Sequence, residues 1–213
     1  MSPVSIRILV EATPKKVYVS ALDWPGLARG GRDEGEAVEA LLAAIPRYAE
    51  VAADAGHEMG SEGAHVDVIE LLEGNATTAF GAPAVIAEAD RAPLLEADAA
   101  RLAELVAASW RAFDRIAAAA PEALRKGPRG GGRDRTKIVG HVNEADDYYA
   151  RELGLVKRPK EIAALRAVML EVLRLPSDGS PLAGRRWTTR YAARRIAWHA
   201  LDHAWEIEDR TER

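Results

Sequence analysis

His199 and His203 stand four residues apart in the stretch YAARRIAWHALDHAWEIEDR, residues 191–210. On a helix that spacing projects both imidazoles from one face, about a turn apart, where they can hold a single ion together. The stretch is expected to be helical, because Thr188 or Thr189 can cap its start and Ala192, Ile196, Ala200, Ala204 and Ile207 recur at helical spacing. Both histidines fall within that apolar stripe. A third, His141, lies on the inner stripe of an earlier helical segment beside Ile138, Val142, Ala145 and Tyr149. Clustering three imidazoles among apolar side chains costs free energy unless their nitrogens find partners, and a shared divalent metal ion would be one. Imidazole donors suit zinc or nickel. Three of them leave coordination positions for water and a small-molecule substrate, the arrangement of a catalytic rather than a structural ion.

Other residues are candidates with a plainer alternative beside each. Glu144, one turn after His141, is a candidate to orient a metal-bound water or act as general base, against the reading of a solvated acid. Asp202 is a candidate partner for a ligating histidine, against the reading of a helix-surface charge. The basic run Arg125, Lys126, Arg129, Arg133, Arg135 and Lys137 would guide an anionic substrate, or is simply a solvated linker. Trp198 and Trp205, seven apart on one side of the last helix, are expected to pack against the N-terminal part or against a second copy, which would make a homodimer. His57 and His65 flank a Gly-rich turn and are read as non-ligands.

Composition bounds what these residues can serve. The chain of 213 residues is 48% hydrophobic and 29% charged, ordinary values for a globular protein of one large or two small domains. No apolar run is long enough to span a bilayer, and MSPVSIRILVEA lacks the basic start and apolar core of a signal peptide, so a cytoplasmic location without a membrane partner is expected. The absence of cysteine excludes disulfides, thiolate ligands and a cysteine nucleophile. Residues 1–85 carry 6 basic and 13 acidic side chains, against 23 and 20 in the remainder. The acidic N-terminal part argues against a nucleic-acid partner.

The elements that must position the histidines follow from periodicity. Residues 5–12 and 16–22 alternate apolar and polar residues around Thr13 and Pro14, the pattern of a hairpin. DWPGLARGG reads as a loop. Asp33 is a plausible cap for a helix with Ala37, Leu41, Leu42 and Ile45 on one face, in which Pro46 should introduce a kink or begin a second short helix. Residues 65–72 suit a further strand, and 75–92 read as a linker. Asp90 with Pro93 would then start a helix carrying Leu102, Val106, Trp110, Phe113 and Ala117 up to Pro121. Further helices are expected over 136–153 and over 161–175, before the histidine-bearing one. The expected class is therefore α+β: a small α/β domain over residues 1–80, and an all-α four-helix bundle over residues 90–213 whose core holds the metal.

Two family resemblances accompany this reading. LDWPGLARGGRDEGEAVEALLAA resembles the HicB-like family, with its strand, Pro-Gly loop and acidic helix start, over roughly the first 75 residues. That family often serves antitoxins followed by a DNA-binding module, and no such module is evident here. GHVNEADDYYARELGL together with WTTRYAARRIAWHALDHAWEIEDR resembles the DinB/YfiT-like metalloenzyme superfamily over about residues 92–210. The resemblance implies a four-helix bundle with His141, His199 and His203 as ligands, and transfer of a low-molecular-weight thiol to an electrophile, or a related hydrolysis. The segment GGGRDRTKIVGH departs from relatives, whose second helix often begins Trp-Ser or Trp-Thr. The competing class is a protein-binding or regulatory module in which the metal is structural.

Overall fold

In the computed structural model, which describes residues 5–60, 63–126 and 132–211, the alternating N-terminal stretches build strands. β1 (Ser5–Thr13) and β2 (Lys16–Ala21) pair antiparallel, and the Thr13 hydroxyl closes their turn by accepting from the Lys16 amide at 3.0 Å. β3 (Ala28–Gly31) adds antiparallel to β2. α1 (Glu34–Asp54) carries the chain across the sheet to β4 (His65–Glu73), which runs parallel to β1, so the strand order is β3-β2-β1-β4. The Asp33 carboxylate caps α1 by accepting from the Glu36 amide at 2.9 Å.

Two local expectations are corrected. The second half of DWPGLARGG is strand rather than loop, because its pairing with Val17–Ser20 is made by backbone groups that side-chain alternation cannot reveal. Nor does Pro46 begin a second helix: α1 runs through it, with Ile45 and Tyr48 buried on either side and the Tyr48 hydroxyl donating to Pro25 O at 2.7 Å.

Four long helices follow. α3 (Glu96–Ala119) and α4 (Arg135–Glu152) each pack against both α5 (Ile162–Leu173) and α6 (Thr189–Arg210), so the four enclose a common interior. The stripe Leu102, Val106, Trp110, Phe113 and Ala117 is buried as its spacing requires. α3 begins at Glu96, later than Asp90 and Pro93 would place it, because Asp90 is engaged elsewhere. A polar node crosses this interior: Asp146 accepts from Trp110 Nε1 at 3.3 Å and from Arg166 Nε at 2.8 Å, and Arg166 also reaches Asp114 at 2.9 Å. Among the described residues no helix is long and apolar enough to cross a membrane.

The stretch expected to be a linker is packed. It carries the short helix α2 (Ala76–Phe80), then lies across the face of the sheet opposite α1, where Ala87 meets Leu9 and Leu22. The buried Glu11 carboxylate accepts from the Ala84 and Val85 amides, at 2.9 and 3.0 Å, and from the Thr78 hydroxyl. The far end is tied to α6, because Asp90 accepts from both Nε and Nη2 of Arg194 in a buried ion pair. One apolar cluster runs from Ile8 and Val19 of the sheet through Leu41 and Leu105 to Ile196 and Leu201.

α6 also lies directly on the Pro-Gly loop. Gly26 has φ +97°, and a Cβ there would sit 2.7 Å from Leu201 Cδ1 and 3.2 Å from Ala197 Cβ. Only glycine meets both demands, which explains the residue at that turn.

Candidate metal centre

The two C-terminal histidines are placed by the helix that carries them. Thr188 caps α6 by accepting from the Tyr191 amide at 3.3 Å, and Ala192, Ile196, Ala200, Ala204 and Ile207 are buried along its length. That packing turns His199 inward, where it is 6% exposed, with His203 one turn later and half-buried. α4 brings His141 to the same point. His141 Nε2 and His199 Nε2 are 3.2 Å apart, and the ring centroids of the three histidines lie 4.7–5.0 Å from one another. One nitrogen from each ring lies within 4.8 Å of the other two.

These distances fit a shared ion. Nitrogens about 2.0–2.1 Å from a tetrahedral zinc lie roughly 3.4 Å from each other, by the geometry of the tetrahedron. The closest observed pair differs from that by a small side-chain adjustment. Three histidines close together, able to bind a metal ion, are thus a feature of the structure.

Protonation favours the same use. Burial pushes His199 down to about 2, reinforced by the charges of His203, Arg195, His141 and Arg133. His141 is also lowered, by burial first and then by His203 and Arg133. Metal-ligating imidazoles must be neutral, and the fold keeps these two neutral before any ion arrives. His203 is oriented from behind, its Nδ1 lying 2.8 Å from Glu206 Oε2. A carboxylate can only accept, so Nδ1 donates to Glu206, and Nε2 is the nitrogen available to an ion. Glu206 is held below the usual carboxylate range chiefly by this hydrogen bond, and it also accepts from Arg210 at 2.6 Å. The remaining nitrogen of His199, Nδ1, is buried without a hydrogen-bond partner among the described residues, and the Tyr149 ring lies 5.7 Å away in a T-shaped pair.

The other candidates are sorted by the same geometry. Glu144 is exposed, and its charge is felt at His141 without a hydrogen bond between them. Asp202 shares a groove with Arg29 and Lys16 and hydrogen-bonds no histidine, although His203 acts on it more strongly than any other neighbouring charge. The carboxylate that does support a histidine of the cluster is Glu206, which sequence reasoning passed over although its i,i+3 spacing from His203 was a usable signal.

Within the basic run, Lys126 pairs with Asp134, Arg135 with Glu122, and Arg125 donates to Asp209 O. Arg133 and Lys137 are exposed, and Arg129 lies outside the described residues. Of this run, Arg133 is the residue whose charge reaches the histidines. Trp198 packs edge-on against Tyr18 at 6.3 Å, and Trp205 lies under the Arg29 guanidinium at 4.0 Å, so both pack on the N-terminal part. His57 bonds Glu104 at 2.9 Å and His65 opens β4, both outside the cluster. Compared with protein-family models, curated proteins and solved structures, the chain matches none.

Proposed function

We propose that His141, His199 and His203 bind one divalent ion, zinc or nickel, and that the protein is a metal-dependent enzyme acting on a small molecule, as the DinB-like resemblance of residues 92–210 implies. The observation that carries this reading is the convergence of three imidazole nitrogens, with no further carboxylate or histidine in their group among the described residues. A site with three protein ligands leaves a position open, and an ion there would lower the pKa of a thiol or water to give a nucleophile at neutral pH. The chain's own groups prepare that chemistry. Burial keeps His199 and His141 neutral, Glu206 orients His203, and Tyr149 walls His199 from solvent on one side. Glu144, exposed beside His141, is the candidate proton acceptor for the thiol or water.

The test is direct. Protein purified without added metal is expected to carry one equivalent, and His141→Ala, His199→Ala and His203→Ala are each expected to lose most of it. Stoichiometric metal in all three variants would sink the proposal. With cobalt in the site, small thiols are expected to alter the visible spectrum near neutral pH, since a metal-bound thiol ionises well below its free pKa of about 8.5. A spectrum indifferent to thiols and azide would mean a closed site, and the regulatory module with a structural metal would replace the enzyme.

A further inference from the structure

The first turns of α6 and the last turns of α4 border a cavity of about 300 Å³ that the histidine cluster does not use. One wall is aromatic, made by Tyr148, Tyr149, Trp187 and Tyr191, with Trp187 centred 5.2 Å from both Tyr149 and Tyr191, and Asn75, Thr77, Ala84 and Ile86 close the other. Two guanidinium groups, Arg186 and Arg195, also line it.

The arginines distinguish this cavity from a packing defect. Of their neighbours on α6, Arg194 is neutralised by Asp90 in a buried pair, and Arg190 lies 3.9 Å from Asp23, which Arg7 also engages. Arg195 has no carboxylate partner among the described residues. It donates one Nη1–H to Pro83 O at 2.8 Å and lies 4.8 Å over the Trp198 ring, so the group is held in place while its charge stays uncompensated. A fixed, unpaired guanidinium presents a fork of donors matched to a carboxylate or phosphate. Arene walls beside it favour a flat apolar body in offset or edge-on contact. The volume is at the small end of ligand sites, room for one or two rings and a charged group.

We propose that this cavity binds a small aromatic anion, its ring against Trp187, Tyr149 and Tyr191 and its carboxylate or phosphate on Arg195 and Arg186. Tyr149 is the wall shared with the histidines, lining the cavity while its ring lies 5.7 Å from His199 in a T-shaped pair. The inference goes beyond the metal reading and does not depend on it.

The probe is 1-naphthoate, titrated into the full chain while tryptophan fluorescence is followed. Saturable binding is expected, at least about tenfold weaker for the neutral 1-naphthalenemethanol and for Arg195→Gln, the scale of one lost charged hydrogen bond. Arg195→Lys should recover part of the loss, as a point charge without the fork. Because Arg195 also braces Pro83, the exposed Arg186→Ala provides a second variant that should fold, expected to weaken binding severalfold. Titration with 1-naphthyl phosphate decides whether the site prefers a phosphate or a carboxylate. Binding should persist after EDTA treatment and in His141→Ala, so loss of the metal proposal would leave this one standing. The proposal is overturned if the acid and the alcohol bind equally well, or if folded Arg195→Gln and Arg186→Ala both bind as the wild type does.

Discussion

Acid should weaken metal binding here less steeply than at an ordinary three-histidine site. A metal must displace every proton its ligand imidazoles carry, and three histidines of pKa about 6.5 would each be largely protonated near pH 5.5. Affinity would then fall by nearly three decades per pH unit. His199 is held down to about 2 by burial, so it carries no proton to displace anywhere in that range, and His141 is lowered as well. The slope should therefore stay below two decades per unit. Calorimetric titration with zinc near pH 5.5, in two buffers of different ionisation enthalpy, counts the protons released. At that pH a zinc-bound water of pKa about 7 keeps its proton and does not confuse the count. Fewer than two protons per ion is the expected result, and a count close to three would refute the claim that burial holds the site neutral. The same burial has a cost in the metal-free protein. Between the folded pKa of His199 and the unfolded value of about 6.5 the unfolded chain binds more protons, so stability falls as the pH drops through that window and levels off below it. The slope is ~1.4 kcal/mol per pH unit for one such site, measurable by urea denaturation of EDTA-treated protein.

Two further substitutions probe the supports of the site. Glu206→Gln should reduce metal affinity by about tenfold or more, because a neutral amide holds His203 less firmly than a carboxylate does. Competition with a chromophoric chelator measures this, and an unchanged affinity would reduce Glu206 to a partner of Arg210 alone. Asp90→Ala leaves Arg194 buried without its counter-charge and should cost about 3–5 kcal/mol. In a chain of this size that lowers the melting midpoint by roughly 6–20 °C. The paired change Asp90→Leu with Arg194→Met should recover much of the loss, and a single Asp90→Ala that melts like wild type would show that this ion pair contributes little.

What the sequence disclosed and what it hid divide along physical lines. Strands β1 and β2, the cap at Asp33, the stripes of α3 and α6 and the meeting of three histidines were legible, because each is written in local periodicity or in residue type. β3 was hidden because ARGG pairs through its backbone. The strap over the sheet, residues 75–92, was hidden because its anchors are distant: Glu11 collects amides 73 and 74 residues away, and Asp90 finds Arg194 across 104. Small residues with Gly81 and Pro83 look like a linker in either case. Asp146 and Asp147 are adjacent and identical in type, yet the first is buried against Arg166 and Trp110 while the second pairs with Arg151 and Arg158.

α6 shows most clearly why a single apolar stripe was too simple a description. Ile196 and Ala200 join the common core, His199 and His203 face His141 of α4, and Trp198, Leu201 and Trp205 rest on Tyr18, Gly26 and Arg29 of the N-terminal part. A helix covered on several sides has little freedom to rotate about its axis. A turn of about 100° per residue is what separates neighbouring side chains, so even a modest rotation would carry an imidazole nitrogen out of reach of the others. The sheet and its strap thereby fix the direction in which His199 and His203 point, although neither supplies a residue to the cluster. In this structure the N-terminal part acts on the candidate metal centre through the back of α6.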